Sequence, residues 1–392
     1  MSYSPLNILF LPRWYPHRYD PMPGLFIQRQ AEALAAEHHV AVLYVHPDPD
    51  CPNAFEIDYA EEAGVVAIRV YFHVPETPVP FLRWLISMRN FYRAHRRGLE
   101  VIGEFVPDIV HSHILTREAL IGHRLSRRYH VPHVISEHWS RYFPANGTYR
   151  GGIRKWLTHY LVGRASAVIA VSETLKKAML NCRLDNPHFF VVPNVVNTPA
   201  PETKELIRED PRKRFLHVSC FDDRAKNISG LLRAVREISG KRSDFQCLLV
   251  GDGPDRDAMQ QLAVEIGLPE DSVIFTGLKD EKELASLFEE ADFAVLSSRY
   301  ETFGTVIVES LAHGVPVLST AVGIAPEVIN ERNGMLIPPG DPDALTEGVN
   351  RMLDACRSYD RKAIRRDLGN RFDASSVGDQ LLHVYQHVRG DV

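Results

Sequence analysis

The stretch ADFAVLSSRYETFGTVIVES, residues 291–310, passes from an apolar run into a helical pattern and carries two glutamates, Glu301 and Glu309, with seven residues between them. The run 291–296 reads as a buried strand. Beyond it Val306, Ile307, Leu311 and Ala312 recur at helical spacing, and His313-Gly314 supplies a stop. Glu301 thus stands at the mouth of the helix. Were both carboxylates on one helix, a rise of about 1.5 Å per residue would set their Cα atoms roughly 12 Å apart. A carboxylate dyad working on one bond needs about 5 to 9.5 Å. The spacing suits two acceptors gripping different hydroxyl-bearing parts of one elongated ligand, with the free N–H groups of Thr302, Phe303, Gly304 and Thr305 facing an anion between them. A nucleotide diphosphate sugar has that shape.

Outward from this stretch, short apolar runs alternate with helical patterns, which predicts an α/β protein with parallel sheets covered by helices on both faces. The first series of expected strands is 7–11, 39–45, 65–71, 108–111, 133–136, 167–171 and 189–192. The second is 215–219, 246–250, 273–276, 293–296, 316–319 and 335–338. Between them 197–214, rich in proline and charge, reads as a linker. The expected domains are 1–197 and 198–374. Two such domains put a cleft where the carboxyl ends of their sheets meet.

A chain of 392 residues is long enough for two cores. It lacks an apolar run of about 18 residues and a basic-then-apolar leader pattern, so the expectation is a cytoplasmic protein. Five scattered cysteines without CxxC spacing suggest neither a disulfide framework nor a zinc site. Residues 1–197 hold 21 Lys and Arg against 17 Asp and Glu, whereas the remainder holds 24 against 33. Partners of the first half are therefore expected to be acidic. Nucleic acid is not expected for an acidic chain with no binding module.

With its flanking features, the Glu301–Glu309 segment resembles the family-4 retaining glycosyltransferases of the GT-B fold. The likeness extends through Gly251-Asp252-Gly253-Pro254, Phe275-Thr276-Gly277, the HGVPVLST segment 313–320 and Asn333-Gly334. The resemblance implies two Rossmann-like domains, with a last helix at about 375–392 packing back on the first. It implies that Glu301 binds sugar hydroxyls, that Glu309 binds ribose, and that the Thr276-Gly277-Leu278 backbone meets the base beside Gly251. Lys226 matches the family's phosphate-binding lysine. The family's arginine after the preceding strand is here Cys220, and Arg224 is the candidate to compensate for it. The resemblance also makes His138 the histidine beside the donor sugar. Gly24 opens a helix whose stripe is Phe26, Ile27, Gln30, Ala31 and Leu34, and in the family a glycine loop there faces the donor diphosphate.

The expected activity is retaining transfer of a hexose-type sugar, from a UDP-sugar ahead of a GDP- or ADP-sugar, to a glycan or lipid-linked hydroxyl in polysaccharide assembly. Lys226 and the helix terminus would serve in place of a metal cofactor. The His111-Ser112-His113 spacing has no acidic or thiol partner nearby and is not read as a metal site. Two basic, aromatic regions remain. In 81–100 the stripe Phe81, Leu85, Met88, Tyr92, His95 and Leu99 lies beside Arg89, Arg93, Arg96 and Arg97; in 141–164 come Arg150, Arg154, Lys155 and Trp156. The first is a candidate for peripheral contact with anionic membrane at its inner face, or a solvated helix with a core stripe. A nucleotide-sugar epimerase or phosphorylase, or a non-catalytic nucleotide-sugar binder, is the alternative.

Overall fold

Runs of β-branched and aliphatic residues build the strands of two sheets, in a computed structural model that describes residues 4–74, 77–197 and 211–391. The first sheet contains β1 (Asn7–Pro12), β2 (His39–Asp48), β3 (Phe55–Glu62), β4 (Val65–His73), β5 (Ile109–His113), β6 (His133–Glu137), β7 (Ala167–Ala170) and β8 (Phe189–Val191). Its spatial order is β3-β4-β2-β1-β5-β6-β7-β8. The second contains β9 (Lys213–Val218), β10 (Phe245–Val250), β11 (Val273–Gly277), β12 (Phe293–Leu296), β13 (Val317–Thr320) and β14 (Gly334–Ile337), in the order β11-β10-β9-β12-β13-β14. This is the GT-B plan.

Central strands such as β1 and β10 are apolar and buried almost throughout, as strands covered on both faces must be. Helix Leu25–Ala35 buries Ile27, Gln30, Ala31 and Leu34, one stripe at helical spacing. Each such aliphatic side chain contributes about 1.5–3 kcal/mol.

Three features differ from the sequence reading. β3, absent from it, pairs antiparallel with β4. Ala63 and Gly64, both at positive φ, make the two-residue turn, and the edge strand's charged, exposed residues guard it against pairing. Lys213 and Arg214 open β9 instead of ending a linker, because they pair with Phe245 and Gln246; linker residues 198–210 lie outside the described residues. In helix Pro80–Ile102 only His95 of the expected stripe is fully buried, with Met88, Tyr92 and Leu99 partly covered. Phe91, Ala94, His95 and Gly98 pack inward, while Phe81, Leu82, Trp84 and Leu85 are exposed.

The C-terminal helix Ala374–Arg389 packs on helix Leu25–Ala35 of the first domain. Its Tyr385 hydroxyl meets His111 Nδ1 at 2.7 Å, and Arg389 pairs with Asp108 at 3.3 Å. One apolar cluster joins the domains, taking in Ile135 and Leu175 from the first and Leu296, Phe303 and Ile307 from the second. Among the described residues, no helix is long and apolar enough to cross a membrane.

Candidate active site

Apart from the β3–β4 hairpin at the edge of the first sheet, the strand order reverses between β1 and β5 in the first sheet and between β9 and β12 in the second. Loops leaving neighbouring strands at such a point diverge and open a crevice. The loop after β9 carries Lys226, and the loop after β12 carries Glu301. Lys226 ends the short helix Asp223–Lys226, which the Asp222 side chain caps by accepting from the Ala225 N–H. Its carbonyl accepts the Ser297 hydroxyl at 2.9 Å, which ties the two loops together. Lys226 Nζ donates to Glu301 Oε1, and Ser298 donates to the same oxygen at 2.9 Å. Burial works against the lysine charge, but Glu301, with help from Cys220 and Asp222, holds the ammonium above its ordinary range. The resting site therefore holds a shielded cation and anion already paired.

Thr302, Phe303 and Gly304 lead from Glu301 into helix Thr305–Ala312. The Phe303 side chain is buried against Phe372, so this residue faces a ligand only through its backbone. Its carbonyl accepts from Ile324 N–H at 2.8 Å, and the Thr302 carbonyl accepts the Ser172 hydroxyl of the first domain at 2.6 Å. Gly304 sits at φ 87° and caps the helix, whose first N–H groups, from Thr305 on, have no acceptor inside it. Gly323, which the sequence reading missed, supports the loop: a Cβ there would lie 2.3 Å from the Phe303 carbonyl oxygen. One turn inward, the Glu309 carboxylate has no hydrogen-bond partner among the described residues. Burial raises its pKa, with Arg29 of the first domain pulling the other way. Arg29 itself reaches across to Glu281 at 2.6 Å.

Gly251 and Gly277 lie at the ends of β10 and β11, joined by a Gly251 N–H to Gly277 carbonyl bond of 2.9 Å. Gly251 is pressed on the Ser219 carbonyl, where a Cβ would come within 2.0 Å, whereas Gly277 is open apart from Arg256. Leu278 is exposed. Arg224, the candidate to compensate for Cys220, is turned away: its guanidinium donates to the Asn146 carbonyl of the first domain. Cys220 is exposed and lies close enough to influence the Lys226 charge.

Across the cleft, Gly24 stands at φ 75° with the Trp14 carbonyl oxygen 2.2 Å from where a Cβ would be, so the loop after β1 closes only over glycine. His138 follows β6. Burial drives its imidazole down to about 3, so it is neutral at ordinary pH; Nε2 lies 3.4 Å from His113 Nδ1, and Nδ1 has no partner among the described residues. The sequence reading missed Glu137, which aims this loop. It is fully buried and accepts the N–H groups of Leu115, His138 and Trp139 at 3.0, 2.8 and 2.8 Å and the Tyr142 hydroxyl at 2.7 Å. His111 bridges Tyr385 and Ser136 as a core residue. Among the described residues, no three His, Cys, Asp or Glu side chains gather as a metal site requires.

Residues 24–199 match the family described as Glycosyltransferase Family 4, and residues 201–366 match Glycosyl transferases group 1. An uncharacterised glycosyltransferase of Methanocaldococcus jannaschii is 26% identical over 351 residues, covering 84% of this chain and 87% of the relative. A sucrose-phosphate synthase of Thermosynechococcus elongatus shares the fold with a TM-score of 0.77 at 22% identity, over 98% of this chain and 100% of that one. The Anabaena protein HepE, solved with UDP and glucose, does so with a TM-score of 0.68 at 19% identity, over 97% and 100%. The two family matches divide the chain where its two sheets divide, and the chain belongs to the group 1, family-4 glycosyltransferases.

Proposed function

We propose that this glycosyltransferase moves a hexose-type sugar from a nucleotide diphosphate sugar, UDP-linked ahead of GDP- or ADP-linked, to a hydroxyl acceptor with retention of configuration. The observation that carries this reading is the Lys226–Glu301 pair, together with a Glu309 carboxylate, eight positions on, that has no hydrogen-bond partner among the described residues. HepE, of the same fold, is a UDP binder. In the scheme, donor entry exchanges one set of partners for another. Lys226 leaves Glu301 for the diphosphate, Glu301 takes sugar hydroxyls, and Glu309 takes the ribose. Negative charge then grows on the leaving phosphate, where Lys226 and the N–H groups of Gly304 and Thr305 are fixed to meet it. His138, neutral and with a free Nδ1, hydrogen-bonds the sugar or its acceptor from the opposite wall. Gly277 and Leu278 flank the base.

The first domain is assigned the acceptor, a glycan or lipid-linked molecule presented at the inner face of a membrane during polysaccharide assembly. Its exposed Phe81, Trp84 and Leu85 support a peripheral contact there. The test is a thermal-shift series with UDP-, GDP- and ADP-sugars, because a ligand that binds the folded state raises its apparent stability. It is followed by NMR of the product anomer in excess EDTA. Stabilisation by UDP-sugars and an unchanged anomeric configuration are expected; turnover of donor without any acceptor would favour an epimerase instead.

A further inference from the structure

A cavity of about 520 Å³ opens beside the cleft wall of the first domain, lined by Arg13, Arg117, Arg141, Arg154, Trp84 and Ile153 among others. Its floor comes from the loops after β1, β5 and β6, the same loops that hold Gly24 and His138. Trp139, next to His138, contacts Trp14 with ring centroids 5.4 Å apart and lies beneath Arg141 at 3.3 Å.

The positive charge here is not matched by the protein. Arg141 is 6% exposed, yet its guanidinium has neither an ion pair nor a hydrogen bond among the described residues; a stacked tryptophan is its contact. Burial of an unpaired charge is costly unless a partner arrives. Arg13 and Arg117 share one carboxylate, Glu118, at 3.4 and 3.9 Å, and Arg154 donates to the Thr148 carbonyl. The other nearby carboxylate, Glu137, has its oxygens taken up by three backbone N–H groups and Tyr142. Among the described residues, Glu118 is thus the one carboxylate within ion-pair distance of any of these four guanidiniums. Planar guanidiniums suit phosphate oxygens, which accept paired hydrogen bonds.

The rim has the opposite character. Trp84, 57% exposed, stands on one side with Phe81 stacked on it, and Ile153, 83% exposed, stands on the other. Exposed apolar side chains grouped around a polar centre mark a binding surface.

We propose that this cavity seats the phosphate head of an amphiphilic acceptor, with its hydrocarbon chain leaving between Trp84 and Ile153. The assignment rests on the reading of the first domain as the acceptor side, and names the acceptor as a lipid phosphate. Phosphate bound at Arg141 would stand on the same loop as His138, so a hydroxyl on a sugar attached to that phosphate would extend toward the donor.

Tryptophan fluorescence titration of the intact chain tests this with octyl phosphate, inorganic phosphate and octanol as probes, and with UDP titrated separately by calorimetry. Octyl phosphate is expected to bind at least about tenfold more tightly than either inorganic phosphate or octanol, because only it has both parts. Arg141→Gln should weaken octyl phosphate about tenfold and leave UDP within twofold. Trp84→Ala should weaken octyl phosphate but not inorganic phosphate. Should Arg141→Gln fail to fold, Arg154→Gln, at an exposed side chain, should still reduce octyl phosphate affinity several-fold. Octanol binding as well as octyl phosphate would overturn the proposal, and so would inorganic phosphate binding equally well or variants indistinguishable from the parent. Loss of UDP binding in the parent with normal octyl phosphate binding would instead overturn the donor reading alone.

Discussion

The two domains keep their charge in different places. In the second, the site's cation and anion, Lys226 and Glu301, lie against each other under cover, and its six strands are all parallel. In the first, arginines outnumber the carboxylates available to them, aromatic side chains stand in solvent, and an antiparallel strand guards the sheet edge. In the proposed scheme the ligand supplies each charge with a new partner, phosphate for Lys226 and sugar hydroxyls for Glu301, so the two can wait already paired. A surface that awaits a ligand built outside the protein leaves its charges unanswered.

Acid should separate the two most strongly. Burial holds His111, His113, His133 and His138 of the first domain below their ordinary range, the last two to about 3, while His217 and His313 are the corresponding pair in the second. A histidine that stays neutral when folded favours unfolding wherever the unfolded chain can bind the proton. Stability is therefore full above about pH 6.5 and falls as pH drops toward 3, by up to about 1.4 kcal/mol per pH unit for each imidazole. All four tryptophans, Trp14, Trp84, Trp139 and Trp156, lie in the first domain. Their fluorescence should change at a higher pH than the remaining far-UV circular dichroism; one coincident transition would mean that the shared apolar cluster makes a single cooperative unit, and the contrast would fail.

Lys226→Ala should lower kcat by about 10²- to 10³-fold, the usual range for losing a fixed group that stabilises transition-state charge, with a smaller loss of nucleotide affinity. Equal losses in both would make the lysine a binding group only. Gly24→Ala comes next: it forces an L side chain to positive φ, costing about 1–2 kcal/mol, and adds a clash with the Trp14 carbonyl. Gly304→Ala carries the same positive-φ strain but meets side chains instead of backbone, Ile307 at 3.2 Å and Leu296 at 3.7 Å, and should cost less in urea denaturation; the reverse order would show the donor loop to be the tighter of the two. Smallest, Glu309→Ala should weaken UDP about tenfold, roughly 1.4 kcal/mol, while Glu301→Ala spares free UDP and impairs use of the sugar donor. Calorimetry on both variants reads this directly, and matching losses would erase the proposed division of roles.

What could be read in the sequence follows the same divide. The expected strands of the second series lie within two residues of those observed, because fully buried parallel strands are continuous apolar runs. Glu301 stands in the loop after such a strand, Lys226 ends a short helix after another and Glu309 lies in the helix beyond Glu301, so their places along the chain were legible too. β3 was not, since its charged edge residues do not resemble a core strand. Phe303 was expected to face the donor through its N–H group, and what the sequence did not show is that its side chain anchors the loop from behind. For Arg224, the candidate replacement cation, the sequence could not show that its guanidinium donates to the Asn146 carbonyl, 78 positions away. Glu137 and Arg141 were hidden for the same reason: what they do depends on Leu115 and Arg13, which the fold, not the sequence, brings close.

The return of helix Ala374–Arg389 to the first domain means that the polypeptide passes between the domains twice, once after Asn197 and again before Ala374. One tether would let the halves swivel freely, whereas two fix a line. Rigid-body movement is then confined to rotation about that line, as with a cover on its spine. The Ser172–Thr302 bond crosses the cleft from loop to loop, so that rotation would be felt at the backbone carrying Glu301. Opening to admit a donor and re-aiming the residue that holds its sugar would thus be a single movement.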